Sequence, residues 1–521
     1  MLDQLPDDIE ALKTFIANQA TTLDGMIARN EQLSEQNQQY KSQVVLLQEQ
    51  LNIALAKRFA SRSEQLSPDQ LRLFDEAEMT SSAEAEVEPE ESVAVSSHRR
   101  KRGGRKPLPQ RLPRIDVVHE LPEAERRCDH DGRLLTAIGE VVSEQLDIVP
   151  ATIQVIRHIR KQYACDCGQC IKTAPLPAQP IPKSMASPGL LAHITVSKYA
   201  DALPLYRQET ILQRIGVDIP RATLANWMIR AGMLVQPLIN LMRDRLLDYD
   251  IVQMDETPVQ VLKEIGRRAQ SKSYLWVQRG GPPGGRVILY DYDPSRSGAV
   301  PQRLLAGYSG YLQADGYDGY NAVVAANGLT PLGCMAHARR RFDEAVKAQG
   351  KNQRRGKAWR GLSFIQKLYR VEKQSRSMVP DERQAYRAEQ AKPLLDEMRV
   401  WLDEALVQVP PKSATGKALS YLHQQWGKLT RYLDDGRLEI DNNHCENAVR
   451  PFVVGRKNWL FSDSIAGVKA SANLYSLIET AKTHDLEPYA YLRQVFTELP
   501  GAQTIEAIEA LLPENVKPNS N

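Results

Sequence analysis

Residues 438–461 read LEIDNNHCENAVRPFVVGRKNWLF, and this stretch governs how the rest of the chain is interpreted. Asp441 is a favourable N-cap for a helix. Helical spacing then places four polar side chains on one face: Asn442, Asn443, Glu446 and Arg450. Pro451 is expected to end or kink this helix. A single acid held among amides and bases suggests a ligand for a divalent metal ion rather than a surface charge.

Bases and an aromatic side chain follow this acid. Arg450, Arg456 and Lys457 are suited to binding phosphates, and Trp459 is suited to stacking on a base. The stretch therefore predicts a metal site beside nucleic acid. A divalent ion of this kind needs further carboxylates, which the rest of the chain must supply.

Two aspartates fall where predicted strands end. The apolar strand 251–254 is followed by Asp255, and a later strand, GYLQAD, ends at Asp315. Between them, strands over 273–280 and 286–292 form an antiparallel meander, and a short helix follows. A fifth strand and a basic helix come after the second aspartate. This order of elements predicts a ribonuclease H-like α/β core within a multidomain α+β protein.

In such a core, acids from the first strand, the fourth strand and a later helix hold two Mg²⁺ or Mn²⁺ ions. Asp255, Asp315 and Glu446 are therefore the candidate catalytic residues and metal ligands. Each acid also has a simpler interpretation, because an aspartate at a strand end is usually a turn residue. Asp318 competes with Asp315 for the second position. The neighbouring strand adds two more aspartates, Asp291 and Asp293.

Length and composition fit a protein that works away from membranes. At 521 residues the chain is expected to form three or four domains, and 42% hydrophobic residues suffice for their cores. No run of 18 apolar residues occurs, so no membrane span is expected. The segment MLDQLPDDIEALK is acidic and lacks an apolar signal core, so secretion is not expected and a cytoplasmic protein is predicted. The predicted contacts with nucleic acid add the expectation that it is nucleoid-associated.

Residues 1–58 are predicted to form a coiled coil. From residue 9 onward, apolar side chains recur at heptad positions a and d, with polar breaks at Gln19, Asn30 and Asn37. Both asparagines fall at position a, where a buried Asn favours two parallel strands, so a homodimer is expected. The alternative is one long amphipathic helix that packs on its own protein.

Residues 59–114 are predicted to be a linker with two oppositely charged parts. An acidic run over 79–97 lacks periodicity and is typical of disorder. The basic segment that follows carries Arg102, Arg105 and Lys106 beside two glycines, and it is suited to lie along DNA phosphates or in a minor groove. A solvated charge run is the alternative.

Residues 115–185 are predicted to form a small β-rich module similar to a zinc ribbon. Such a module holds Zn²⁺ with two pairs of closely spaced Cys or His ligands. Four cysteines are candidate ligands: Cys128, Cys165, Cys167 and Cys170. The first pair is incomplete, because only His130 or Asp131 lies close to the first cysteine. The alternative is a degenerate ribbon held together by its β core alone.

Residues 186–247 are predicted to be helical and to contain a helix-turn-helix. Two short helices are expected on either side of a turn at Gly216. Arg221 and Asn226 on the second of these helices would face a DNA groove. An ordinary helical spacer is the alternative.

The catalytic core is predicted to be split by an insertion. Its first part spans 248–349 and its last helix lies in 436–464, whereas the charged, helix-forming residues 350–435 are predicted to be a helical insertion. Residues 465–521 are predicted to form a helical region with a disordered tail after Pro513.

A basic helix follows the fifth predicted strand. His337 and Arg340 on this helix are candidate phosphate contacts near the metal ions, and a structural role for His337 is an equal alternative. Cys334 and His337 also form a C-x-x-H pair. A second pair is needed to complete a metal site of this type, so the spacing alone does not favour metal binding.

Several long blocks of the chain match one family. They are KRFASRSEQLSPDQLRLFDEAE, GGRKPLP, YADALPLYRQE, MDET, ADGYDGY, CMAHARRRF, IDNNHCENAVRPFVVGRKNWLF and SLIETAKTHDLEPYAYL. With these blocks and its cysteine module, the chain resembles the bacterial insertion-sequence transposases of the IS sixty-six group. These are DDE enzymes of the ribonuclease H-like superfamily. The resemblance implies that Asp255, Asp315 and Glu446 are the DDE triad. Where the family has a second cysteine near the first, this chain has Asp131.

The resemblance implies an enzyme that cleaves DNA at transposon ends in a metal-dependent reaction and joins the freed 3′-hydroxyl to target DNA. Expected partners are the terminal repeats, target DNA and accessory proteins of the element. Two alternatives use fewer of these features. A non-catalytic, sequence-specific DNA-binding regulator would need only the coiled coil, the basic segment and the helix-turn-helix. A structure-specific nuclease would share the metal chemistry without strand transfer.

Overall fold

A computed structural model describes residues 8–59, 153–164, 171–349 and 356–517. The chain divides into two compact units. Of the described residues, the first unit contains 8–59 and 178–517, and the second contains the remainder. Within these described ranges, no helix combines the length and the apolar character that a bilayer-spanning segment needs.

Several predictions concern residues outside the described ranges. These are the two charged parts of the linker, the candidate DNA contacts Arg102, Arg105 and Lys106, and the candidate zinc ligands Cys128, Cys165, Cys167 and Cys170. The second unit contributes a short antiparallel hairpin. In it, strand β1, Gln162–Ala164, pairs with strand β2, Ile171–Thr173. The segment CDCGQC lies between these strands in the sequence.

The first unit begins with helix α1, Ile9–Phe59. Apolar side chains at its heptad positions are exposed, among them Ile16, Leu23, Leu33 and Leu47. Near its C-terminal end, the Asn52 side chain donates to the carbonyl of Ala348 at 2.9 Å. The predicted long helix is therefore present, and most of its heptad stripe lies open to solvent.

Four helices follow α1 within the first unit. Helices α2 to α5 span Pro188–Tyr199, Leu205–Arg214, Arg221–Leu234 and Gln236–Leu247. Between α3 and α4, Gly216 has a φ of +81°, a left-handed conformation that favours glycine. Leu224 and Trp227 of α4 are buried, whereas Arg221 and Asn226 are exposed. Both helices and the turn lie where the sequence predicts them, and their contact with DNA stays a prediction.

Six described strands form a mixed sheet at the centre of the first unit. Strands β3 to β8 span Ile251–Lys263, Lys272–Gly280, Val287–Asp293, Tyr311–Gln313, Thr330–Leu332 and Ser462–Ser464. The order across the sheet is β5, β4, β3, β6, β7, and β8 pairs with the far end of β3. Strands β3, β4 and β5 are antiparallel, which confirms the predicted meander, and β6 and β7 run parallel to β3.

The predicted end of the first strand is wrong. β3 does not stop before Asp255 but continues to Lys263 and pairs with β4 as far as Gln260. The strand continues because Val259 and Val261 alternate along it and are both buried. Asp255 is therefore an interior residue of a long strand rather than a turn residue.

Helices separate and cover the strands. Helices α6, Ala299–Leu304, and α7, Asn321–Asn327, lie between β5 and β7 in the chain, and α8, Met335–Ala348, follows β7. The insertion is helical, as predicted. It contains α9, α10 and α11, which span Lys357–Ser375, Pro380–Gln408 and Ala414–Thr430. These helices and α8 share a hydrophobic core of their own, which includes Phe342, Phe364 and Trp401.

The stretch that carries Glu446 forms helix α12, Asn443–Trp459. The N-cap position belongs to Asn442 rather than to Asp441, whose Oδ1 accepts from the backbone N–H of Asn443 at 3.1 Å. Pro451 does not end the helix. The helix continues past the proline because the next two side chains, Phe452 and Val453, are buried in the core.

Three helices complete the first unit. Helices α13 to α15 span Ile465–Thr483, Pro488–Glu498 and Ile505–Glu509. The predicted disorder directly after Pro513 is wrong for residues 514–517. There, the Glu514 carboxylate accepts from Arg245 at 3.1 Å and Asn515 donates to the Glu509 carbonyl at 2.8 Å. These contacts hold the described end of the chain against α5 and α15.

Candidate active site

Two of the candidate acids lie close to one pairing of neighbouring parallel strands. In the register of β3 and β6, Gln253 lies opposite Gln313, and its Nε2 donates to Gln313 Oε1 at 2.8 Å. Asp255 and Asp315 each follow two residues later. Asp255 lies within β3, whereas Asp315 lies two residues beyond the end of β6. Because β6 is parallel to β3 and paired with it, the chain leaves β6 beside the part of β3 that carries Asp255.

The third acid reaches this row from helix α12. The Asn442 side chain donates to the carbonyl of Met254 at 2.9 Å, which attaches the start of the helix to β3 next to Asp255. Glu446 lies in the first turn and is 7% exposed. The first turn of a helix favours a carboxylate, because the backbone N–H groups there carry partial positive charge.

A buried amide network supports the three acids. Gln313 Nε2 also donates to the carbonyl of Glu439, just before α12, at 2.8 Å. Arg279 Nη1 donates to Gln253 Oε1 at 2.6 Å. The network joins β3, β4, β6 and the segment before α12. Its sequence signal was overlooked: each aspartate is preceded two residues earlier by a glutamine, in QMD and QAD.

The electrostatics around Asp255 are set by burial and by neighbouring acids. Desolvation raises the pKa of Asp255 well above its usual value, and the carboxylates of Glu256, Glu446 and Asp315 raise it further. Mutual repulsion of this kind is relieved when a divalent cation binds between the carboxylates. The donor set therefore fits Mg²⁺ or Mn²⁺.

Glu256 is a fourth acid in this region that sequence reasoning missed, although it adjoins Asp255 in the block MDET. Its carboxylate accepts from Arg296 Nε at 2.7 Å and from the Tyr320 hydroxyl at 2.9 Å. Desolvation and Asp315 raise the pKa of Glu256, and Arg296 opposes this increase. Glu256 thus has a cationic partner and is held in place by it.

The competing aspartates occupy different surroundings. Asp291 accepts from Arg243 at 2.6 Å and Asp293 accepts from Arg303 at 2.9 Å, so both take part in ion pairs of the sheet. Asp318 is exposed in a short 3₁₀ turn. After Asp315, Gly316 adopts a φ of +88°, so the chain turns sharply between these two aspartates.

The predicted phosphate contacts on α12 lie in unlike environments. Arg456 is buried and donates to Thr257 Oγ1 at 3.4 Å, and burial lowers the pKa of its guanidinium to about 10. The Lys198 ammonium lies 4.0 Å from the centre of the Trp459 ring. Arg450 and Lys457 are half-buried. The structure thus uses Arg456 and Trp459 for packing, and the DNA contacts of this helix stay predictions.

Two residues at the start of α8 approach Glu446. Cys334 Sγ lies 3.8 Å from Glu446 Oε1, and His337 Nδ1 lies 3.7 Å from the same oxygen. Arg340, on the same helix, is half-buried. The C-x-x-H pair, for which the sequence offered no partner, therefore meets the candidate catalytic glutamate.

Comparison with known protein families identifies the class of this protein as a transposase. The chain belongs to the Transposase IS66 family, whose sequence model matches residues 183–470, more than half of the 521 residues. The model of the IS66 C-terminal element matches residues 476–513. The resemblance found in the sequence is thereby confirmed.

Two further family models match the N-terminal part of the chain. The model described as Transposase C of IS166 homeodomain matches residues 46–117. The zinc-finger binding domain of transposase IS66 matches residues 125–168. The second match includes Cys128, Cys165 and Cys167 and ends before Cys170. The prediction of a zinc-finger module is therefore confirmed at the level of the domain.

Relatives of similar length occur in Sinorhizobium fredii. Uncharacterized protein y4qI is 32% identical over an alignment that covers 99% of this chain and 98% of the relative. Uncharacterized protein y4jD is 36% identical, with 79% of this chain and 81% of the relative covered. This chain is similar to these proteins along most of its length.

Proposed function

We propose that this transposase is a DDE enzyme in which Asp255, Asp315 and Glu446 carry out metal-dependent DNA cleavage at transposon ends and strand transfer into target DNA. The observation that carries the proposal is the position of Asp255 on β3 beside the end of the parallel strand β6, after which Asp315 follows by two residues, with the start of α12 attached to β3 next to Asp255. Three acids from two strands and a later helix are the arrangement that this chemistry requires.

The topology of the sheet supports a ribonuclease H-like core. The strand order β5, β4, β3, β6, β7, with three antiparallel strands followed by two that run parallel to β3, is the order of that fold. The helical insertion enters between α8 and α12. It therefore interrupts the chain between the second acid and the third without interrupting the sheet.

In the proposed mechanism, Asp255, Asp315 and Glu446 would hold the two metal ions, with the aspartates as the shared ligands. Mg²⁺ or Mn²⁺, when bound, supplies activation of the attacking oxygen and stabilisation of the leaving oxygen. The buried glutamines Gln253 and Gln313 keep the aspartates in register. This rigid support reduces the conformational entropy that the acids would lose on binding metal ions and DNA.

The remaining modules are proposed to bind DNA. The homeodomain and zinc-finger matches make DNA the expected partner of the N-terminal part. In the zinc-finger module, Cys128, Cys165 and either Cys167 or Cys170 would hold Zn²⁺. The proposed DNA contacts are Arg102, Arg105, Lys106, Arg221, Asn226, His337, Arg340, Arg450, Arg456, Lys457 and Trp459. Accessory proteins of the element would assist the reaction.

The exposed heptad stripe of α1 is proposed to pair with the stripe of a second copy. Its apolar side chains recur at coiled-coil spacing, and Asn30 and Asn37 at position a favour a parallel dimer. Two protomers would match the two ends of a transposon. Replacing Leu23 and Leu33 with glutamate should convert the dimer to a monomer in sedimentation experiments, whereas Glu35→Gln should not; a dimer in both variants would contradict the pairing.

The catalytic proposal is tested with Asp255→Asn. This change removes one metal-ligand charge and keeps the side-chain shape, so cleavage of a transposon-end DNA should fall at least about 1,000-fold while binding of that DNA persists. Asp318→Asn is the matched control and should cleave normally, because Asp318 is exposed. Unchanged cleavage by Asp255→Asn would contradict the proposal.

Strand transfer is tested separately from cleavage. Wild-type protein supplied with pre-cleaved ends, target DNA and Mg²⁺ should yield joined products, because the free 3′-hydroxyl can then attack the target directly. A nuclease with the same acids would cut DNA but would give no joined product. Cleavage without joining would therefore favour the nuclease over the transposase reaction.

A further inference from the structure

Cys334, His337 and Glu446 bring three different donor atoms to one point. All three donor atoms lie within 4.8 Å of one another. Cys334 is fully buried, and the Nδ1 atom of His337 is buried without a hydrogen-bond partner among the described residues. A polar nitrogen buried in this way is costly unless something binds it. Its position beside a carboxylate and a sulfur points to a metal ion.

The spacing of the donor atoms fits a tetrahedral ion. Zinc–ligand bonds of about 2.0–2.3 Å at tetrahedral angles imply separations between ligand atoms of about 3.3–3.6 Å. Glu446 Oε1 lies 3.7 Å from His337 Nδ1 and 3.8 Å from Cys334 Sγ. Side-chain rotations that shorten these separations by a few tenths of an ångström would complete the site.

The backbone already holds the ligands in place. Cys334 occupies the N-cap of α8 and His337 lies in its first turn, so helical spacing keeps the two on one side. The N–H of Asn442 donates to Cys334 Sγ at 3.2 Å, which is the type of outer hydrogen bond that orients a metal-bound sulfur. The same segment leads directly into α12 and Glu446.

We propose that Cys334, His337 and Glu446 form a site for a borderline divalent ion of the Zn²⁺ class. Thiolate and imidazole donors select such ions, whereas Mg²⁺ prefers oxygen donors alone. On binding, the Cys334 thiol releases its proton to solvent as the sulfur–metal bond forms. A water molecule or a substrate oxygen would complete the coordination.

The consequence for catalysis rests on the proposed function. Glu446 belongs to both sets of ligands, so an ion held by Cys334 and His337 draws its carboxylate away from Asp255 and Asp315. Zn²⁺ would then inhibit DNA cleavage, and excess Mg²⁺ would relieve the inhibition. The transposase would in this way respond to the ratio of the two ions.

The site is tested by titrating the full chain with Co²⁺, a spectroscopic probe for Zn²⁺ sites. Wild-type protein should bind one Co²⁺ per chain more than Cys334→Ser or His337→Gln, and Cys334→Ser should also lose part of the sulfur-to-cobalt absorption. Cobalt bound at the zinc-finger cysteines contributes equally to all variants and cancels in the difference. Cys445→Ser is the matched control, because Cys445 is also a buried cysteine beside Glu446 but is not among the three ligands.

The outcomes separate this site from the proposed function. Equal Co²⁺ binding by wild type, Cys334→Ser and His337→Gln would overturn the site, even if Asp255→Asn is inactive. Conversely, loss of Co²⁺ in these variants together with normal cleavage by Asp255→Asn would keep the site and reject the DDE assignment. If Cys334→Ser fails to fold, as judged by thermal unfolding without metal, His337→Gln decides the question.

Discussion

Arg387 in the helical insertion and Asp255 in the sheet are both ionisable groups of the first unit, but their neighbours differ. Arg387 is fully buried and donates to both oxygens of the Glu372 carboxylate, at 2.9 and 2.6 Å. It also donates to the carbonyls of Tyr432 and Asp435. Asp255, in contrast, is surrounded by other carboxylates that raise its pKa.

The difference separates a group that stabilises the fold from a group to which the proposed function assigns a catalytic role. The charge of Arg387 is neutralised by the protein itself, so the pair holds α9 and α10 together. The charges around Asp255 repel one another, and the fold tolerates them because the rest of the sheet is well packed. Sites of this kind cost stability until a cation binds.

The largest effect on stability is expected from breaking the ion pair between Arg387 and Glu372. Arg387→Met should lower the free energy of unfolding by about 3–5 kcal/mol, because it leaves Glu372 without its cation and removes four hydrogen bonds. Urea unfolding followed by circular dichroism measures this loss. Lys392→Ala, which breaks an exposed pair with Asp396, is the control and should cost no more than about 0.5 kcal/mol.

A double variant sharpens this test. Replacing Arg387 with Met and Glu372 with Leu together should recover most of the stability, since no charge is then left without a partner. A double variant as unstable as the single one would mean that the contacts of Arg387 with the backbone carbonyls, rather than the ion pair, hold the insertion together.

At the acid cluster, removing a charged group is expected to increase the stability of the metal-free protein. The folded protein raises the pKa of Asp255 above its usual value of 3.8. Between these two pKa values the folded protein holds a proton that the unfolded chain has released, so the stability of the metal-free protein falls as the pH rises. Asp255→Asn removes this penalty and should stabilise the metal-free protein at neutral pH, which urea unfolding measures.

Metal ions should reverse the order of stability of the wild-type protein and Asp255→Asn. Mn²⁺ is expected to bind the folded wild-type protein and to raise its melting temperature, whereas Asp255→Asn should gain less because one proposed ligand is missing. Thermal unfolding with and without Mn²⁺ measures both effects, and Asp318→Asn serves as the exposed control. A metal-free Asp255→Asn variant that is less stable than wild type would show that Asp255 is a structural residue.

The parts that sequence reasoning predicted correctly are those with strong local signals. The meander followed from alternating β-branched residues and turns, and α1 followed from its heptads. Local signals failed at Pro451. The burial of Phe452 and Val453 in the core stabilises the continued helix by more free energy than the proline costs. Local signals failed likewise beyond Asp255, where the continued alternation of Val259 and Val261 was overlooked.

The candidate site shows what sequence could not supply. The three acids were predicted from the order of the elements alone. Their supporting network was not, because the contact between Gln253 and Gln313 depends on the register of two strands that lie 60 residues apart. The approach of His337 to Glu446 depends likewise on how α8 and α12 pack, which spacing along the chain does not reveal.

The smallest effect on stability is expected at the contact between the helical insertion and the segment before α12. The Tyr369 hydroxyl, on α9 of the insertion, donates to Asp441 Oδ2 at 2.7 Å, just before α12. Burial raises the pKa of Asp441 to about 6, and this hydrogen bond partly offsets the increase. Tyr369→Phe should therefore cost about 1 kcal/mol of stability at neutral pH and raise the pKa of Asp441 further.

Because folded Asp441 binds its proton more tightly than the unfolded chain, stability falls as the pH rises from about 4 through the pKa of folded Asp441. In Tyr369→Phe this loss of stability should extend to higher pH than in wild type. Urea unfolding between pH 4 and 8 measures the difference. Superimposable pH profiles of the two proteins would mean that this contact does not couple the insertion to the segment before α12.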